Sequence, residues 1–149
     1  MAKWMGVAAL MLLPAMAACS DDNGPIDNAD PGDAVAMIRL TIGQATVDVT
    51  AGGASRGVDV PRGATTFDAA FLNANGNPVT FPASSSTFAI EVISSNTGRL
   101  TFTRTGPFSG TLNGIQTGAA TITVSLVHGS HTDFQPRTVN INVLPATDS

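Results

Sequence analysis

What most restricts the fold of this chain is an alternation of apolar and polar residues with a period of two, repeated along residues 35–143. In "AMIRLTI", Ile38, Leu40 and Ile42 share one side, and in "ATVDVTA", Val47 and Val49 oppose Asp48. Val58 and Val60 flank Asp59. Phe67, Ala69 and Phe71 alternate with Asp68 and Ala70, and Val79 and Phe81 follow. The pattern resumes with Phe88, Ile90 and Val92 around Glu91, then Leu100 and Phe102, then Ala120, Ile122, Val124 and Leu126. It closes with Val139, Ile141 and Val143. Successive side chains of a strand point to opposite faces, so each run predicts a strand with one face in a core and the other in water. No long run rich in Ala, Leu, Glu and Lys, the composition of helices, appears after residue 20.

Turn-forming clusters separate the runs: "NANGN" at 73–77, "SNTG" at 95–98, "TGPFSG" at 105–110, "LNG" at 112–114 and "QTG" at 116–118. Pro61, Pro78, Pro82, Pro107, Pro136 and Pro145 fall at or near the expected strand ends, where a missing N–H breaks no ladder. About seven to nine short strands at this spacing predict an all-β, two-sheet sandwich. A segment of about 110 residues is long enough for one core without disulfides.

The N-terminus reads differently. Residues 1–18, "MAKWMGVAALMLLPAMAA", have a positive start at Lys3, an apolar run and a close of small residues, the layout of a secretory signal peptide. The run from Trp4 to Ala18 is shorter than the roughly 20 apolar residues of a membrane-spanning helix, and Pro14 interrupts it. Cys19, the only cysteine, follows at once. "AMAAC" resembles a bacterial lipobox, with Met16 in place of the usual Leu. That resemblance implies a palmitate-type lipid modification of Cys19, which becomes the mature N-terminus and anchors the protein in the membrane. Two or more acyl chains, each CH₂ contributing about 0.8 kcal/mol, hold a protein stably. Ser20 rather than Asp after the cysteine implies, by analogy with sorting in enteric bacteria, the outer membrane. The alternative is ordinary secretion after Ala17 or Ala18, with a free thiol.

Residues 20–33, "SDDNGPIDNADPGD", carry five Asp, two Pro, two Gly and no basic residue. So polar a segment buries too little apolar surface to offset its ordering entropy, and 19–33 is expected to be an acidic, flexible tether. From residue 34 onward, six Arg (39, 56, 62, 99, 104, 137) cancel six acids (Asp48, Asp59, Asp68, Glu91, Asp133, Asp148). The domain expected at 34–149 therefore has no basic excess for nucleic acid and no field to steer a charged ligand.

Within residues 58–143 the order "TTFDAAFLNANGNPVTF", "IEVISSNTGRLTF", "NGIQTGAATITVSL" and "TVNINV" resembles the bacterial immunoglobulin-like domains of the group 2 type. Those domains have a strand ending in an N-G-x-P turn, a short strand with "tG", a "G-x-A-x-I-x-V" strand and a closing alternating strand. The sequence departs from them in three places. The family's strand tryptophan is absent, with Phe81 nearest its place. "TRTGPFSGTLN" at 103–113 lengthens one connection. Residues 35–50 add strands that the family does not require. The resemblance implies an immunoglobulin-like sandwich and no particular activity.

The candidate chemistry is concentrated in "VHGSHTDF", 127–134, which holds both histidines. Ser130, His131 and Asp133 are adjacent, and adjacent side chains tend to point apart, so a catalytic triad is not expected from them. There is no G-x-S-x-G elbow and no Gly-rich phosphate loop, and Asp48, Asp59, Asp68 and Glu91 take outward strand positions. An enzyme is not expected, nor a cofactor. His128, His131 and Asp133 suit zinc, nickel or copper by donor type, but zinc usually takes three or four protein ligands. The other readings of the loop are a partner or ligand contact and a plain hairpin turn. Arg99, Arg104 and Phe108 form a second candidate patch, set against the simpler reading that Phe108 folds onto the core.

Together these features predict a non-catalytic lipoprotein of the bacterial cell envelope, a binding or structural module. The rival readings are an accessory subunit of an envelope complex and an adhesive or ligand-binding, including metal-binding, surface domain. Against sugar binding stands the lack of Tyr, with Trp4 in the signal segment as the only Trp, since sugar sites usually stack rings on those residues.

Overall fold

A computed structural model of the chain describes residues 34–81 and 88–146. The signal segment 1–18, Cys19, the tether 19–33 and Pro82 lie outside the described residues. Ten strands follow in order: β1 (Met37–Ile42), β2 (Ala45–Thr50), β3 (Gly53–Ala54), β4 (Val58–Pro61), β5 (Gly63–Leu72), β6 (Phe88–Ser94), β7 (Leu100–Arg104), β8 (Ser109–Gly114), β9 (Gly118–His128) and β10 (His131–Leu144). They make a six-stranded sheet, β3-β2-β1-β5-β8-β7, and a four-stranded sheet, β4-β10-β9-β6. All neighbours are antiparallel except β4 and β10, which run parallel. The chain is an all-β sandwich, as its alternation predicts, with ten strands rather than seven to nine.

The alternation explains why these strands assemble. β1 pairs with β2 on one side and β5 on the other, and Ile38, Leu40 and Ile42 all point inward. From the facing sheet, Ile122, Val124, Leu126, Val139, Ile141 and Val143 meet them in one apolar cluster. Each such side chain, fully buried, contributes about 1.5–3 kcal/mol relative to exposure. The outward acids Asp59, Asp68 and Glu91 stay exposed, while Asp48 forms a two-bond pair with Arg39 across β1 and β2, 2.7 and 2.9 Å.

The largest departure from expectation is β8. "SGTLNG", split by the sequence reading between two turns, is an interior strand paired with β5 and β7. Its inward positions are Gly110, Leu112 and Gly114. The Phe102 ring covers Gly110, and Phe102 stands edge-on to Phe67 with centroids 5.1 Å apart. Gly114 lies against the Pro61 carbonyl and Val143. Glycine fills two of the three core-facing places because neighbouring groups already occupy the space a side chain would take. Residues 103–113 are therefore not a long connection but the end of β7, a tight turn and most of β8.

Two smaller differences concern the segment around Val79 and Phe81, and Pro136. Val79 and Phe81 do not form a strand. Val79 is buried and bonds through its N–H to the Phe71 carbonyl, beside a single bridge between Leu72 and Pro78. Phe81 packs among Phe71, Phe88 and Phe108, with centroids 4.7–5.2 Å apart. Pro136 lies inside β10 rather than at its end, at an irregularity between Phe134 and Arg137 where the ladder is interrupted anyway.

The two ends of the sandwich differ in what they carry. At one end the chain enters β1, with the Ala36 N–H on the Leu72 carbonyl. The turn 73–77, the β7–β8 turn at 105–108 and the β9–β10 tip lie there too. Ile90 N–H bonds to the Pro107 carbonyl, Ala69 N–H to the Phe108 carbonyl, and Phe88 stands opposite His128. At the far end the chain leaves β10, with Arg62 N–H on the Leu144 carbonyl and Ile115 N–H on the Arg99 carbonyl.

Candidate functional site

β9 and β10 are the longest strands, and only Gly129 and Ser130 separate them. Gly129 has φ 59° while Ser130 does not have a positive φ, the pattern of a type II′ hairpin turn with glycine first. The strands run closer to the tip than the expected 119–127 and 137–144, so His128 and His131 form the cross-strand pair that closes the hairpin. "VHGSHTDF" is thus a tight turn between the last two strands, at the end where the chain enters.

His128 also stands opposite Phe88 of β6, and the two rings stack at 4.0 Å and 11°. That contact fixes the imidazole against the rim of the core. Two residues beyond His131, the register slips. Thr132 pairs with Val127 and Phe134 with Leu126, leaving Asp133 as the extra residue of a bulge. The bulge gives the core place opposite Leu126 to Phe134 and leaves Asp133 without a ladder partner.

Asp133 is the unusual group of the site. Its side chain keeps only 10% of its exposure, and Oδ2 is buried with no hydrogen-bond donor. His128 Nδ1 faces it at 4.0 Å, beyond hydrogen-bond reach. Burial pushes the Asp133 carboxyl above its usual range, and the charges of His128 and then His131 draw it part of the way back. The arrangement holds a carboxylate whose cost depends on protonation nearby. Ser130 lies in the exposed turn, so the adjacent Ser130, His131 and Asp133 are spread over turn, strand and bulge.

Among the described residues, no three His, Cys, Asp or Glu side chains group in a way that would hold a metal ion. His128 and Asp133 face one another, but His131 does not complete a three-ligand set with them. The second candidate patch does not assemble either. Arg99 and Arg104 sit at opposite ends of β7, Arg104 exposed and Arg99 donating from Nη1 to the Ala119 carbonyl at 2.7 Å. Phe108 turns inward onto Phe71 and Phe81.

A feature that the sequence reading passed over lies on the outer face of the smaller sheet. β6 stops at Ser94, and beyond it an open groove of about 400 Å³ crosses β9, β10 and β4. Asn140 pairs with Thr121, and Asn142 with both Ala119 and Asp59, so these residues form two adjacent rows. Asn142 Nδ2 donates to Asp59 Oδ1 at 3.0 Å. Ser95 closes one side, its Oγ accepting from Thr121 N–H at 2.9 Å. Their alternation made all of these residues look like an undifferentiated solvent face. The signal that distinguishes them is the small size of Gly57 and Ala119 between polar neighbours. A Cβ at Gly57 would stand 3.2 Å from the Asn140 carbonyl oxygen. No protein-family model and no curated protein matches the chain.

Proposed function

We propose that the chain is a non-catalytic lipoprotein of the bacterial cell envelope, a binding or structural module anchored to the outer membrane by lipid on Cys19. The observation that carries this reading is the order of its parts. A charged start, an apolar run and small residues lead to a single cysteine, then to an acidic spacer, then to a charge-balanced domain. Strand connectivity supports an immunoglobulin-like relationship for the domain. β5, β8 and β7 take the places of strands B, E and D in such a sandwich, and β6, β9 and β10 those of C, F and G. β1, beside β5, stands in the place of A, and β2 and β3 extend the first sheet beyond that plan.

Intact mass of the protein purified from envelopes tests the anchor: diacylglyceryl and acyl additions on Cys19 are expected, and an unmodified Cys19 refutes it. A second reading, an accessory subunit of an envelope complex, is favoured by Ile93, which is 56% exposed on the edge strand β6. Crosslinking in native envelopes separates the two, since a subunit gives one recurrent partner through β6 and a free module gives none.

A further inference from the structure

We propose that the groove across β9, β10 and β4 is a binding site for a neutral, hydroxyl-rich ligand, a saccharide unit held by Asp59, Asn140, Asn142 and Thr121. The volume, about 400 Å³, falls within the range of small-molecule sites. Of its lining residues, Gly57 and Ala119 are small, Val58, Ala120 and Ile141 belong to the core beneath, and the other five are polar. The polar half is not a charged patch. It has one carboxylate, two carboxamides and two hydroxyls.

The groups are arranged for recognition through hydrogen bonds. Asp59 Oδ1 accepts from Asn142 Nδ2, which orients both side chains and directs Asp59 Oδ2 and Asn142 Oδ1 elsewhere as acceptors. One row along, Asn140 brings an amide with both donor and acceptor next to the Thr121 hydroxyl. Neighbouring hydroxyls of a sugar ring are each donor and acceptor, and alternating carboxylate, amide and hydroxyl groups match that character. An added β-strand is a poor fit. Thr121 N–H is bonded to Ser95 Oγ, its carbonyl to Ser95 N–H, and the Ala119 carbonyl to Arg99, so this edge of β9 is already occupied. The ligand is recognised by side chains.

No aromatic ring lines the groove, so affinity rests on hydrogen bonds alone and is expected in the millimolar range. The site stands independently of the lipid anchor, because its test reads the groove itself. The ¹⁵N-labelled protein is titrated with methyl glycosides of glucose, galactose and N-acetylglucosamine up to about 50 mM, a range chosen for such affinities. Saturable shifts of the Asn140 and Asn142 side-chain amides are expected, with the Asn75 and Asn113 amides unmoved. Asn140→Ala should weaken binding at least about tenfold. Ala119→Gln, which fills the floor from an exposed position, should abolish it. Absence of saturation with all three glycosides, equal shifts at Asn75 and Asn113, or unchanged binding in both variants overturns the proposal.

Discussion

Asp133→Asn is expected to stabilise the protein at neutral pH, although it removes the partner of what resembles an ion pair. The carboxylate at 133 has a buried oxygen without a donor, and His128 Nδ1 at 4.0 Å is too distant to supply one. A buried polar atom left unpaired costs about 1–3 kcal/mol. Because a charged group costs more than a neutral one, Asn recovers that excess, which the residual exposure and the nearby imidazoles limit to about 1 kcal/mol. Asparagine keeps the shape and removes the charge. Because burial raises the carboxyl above its ordinary 3.8, the folded state binds the proton more tightly than the unfolded chain. Its contribution to stability is therefore complete below the unfolded value, declines as pH rises through the folded pKa, and stays reduced above it. Urea unfolding across the acid-to-neutral range should show Asp133→Asn ahead by about 1 kcal/mol at neutral pH, or roughly 4 °C in Tm. The two proteins should converge once the carboxyl is protonated in both states. A variant no more stable than the parent at neutral pH, or a gap that persists in acid, would refute the reasoning.

Two further changes test the packing. Gly110→Ala would set a methyl on the Phe102 ring and 2.7 Å from the Thr103 carbonyl oxygen, and since backbone cannot yield, a loss of about 1–3 kcal/mol is expected by denaturant unfolding. Asn73 is buried and its Oδ1 accepts from the N–H groups of Asn75 and Asn77, both 3.0 Å away, so Asn73→Ala should cost about 1–3 kcal/mol where Asn75→Ala costs under about 0.5.

The strands that were legible in the sequence are those whose inward residues are large. Ile38, Leu40 and Ile42, or Val139, Ile141 and Val143, leave a period of two that nothing else imitates, and those residues are buried. β8 was illegible for the converse reason. Two of its three inward residues are glycines, so an interior strand carries the composition of a turn. β3, at two residues, has no room for a period. The hairpin was legible as a turn, but the bulge was not, because a one-residue slip in register depends on which of Asp133 and Phe134 wins the core place beside Leu126. Burial decides for the phenylalanine. The groove was illegible because outward residues of a strand look alike in sequence, and what sets these apart is the cross-strand row that joins Asp59, Asn142 and Ala119 from three strands.

Charge distribution links the two places where this surface departs from a plain sandwich. Arginines and acids cancel from residue 34 onward, and five Asp precede them in the acidic stretch. A ligand approaching the domain therefore meets little long-range field, and recognition there has to be short-ranged. In the groove the one charged residue, Asp59, is engaged by an amide rather than an arginine. Its contacts should accordingly respond weakly to salt, since no ion pair is screened. The hairpin differs because Asp133 has a buried oxygen that faces the His128 imidazole, and its energy follows pH instead. A change in pH should therefore act on the tip of β9 and β10 through Asp133, whose carboxyl is pushed above its ordinary range by burial.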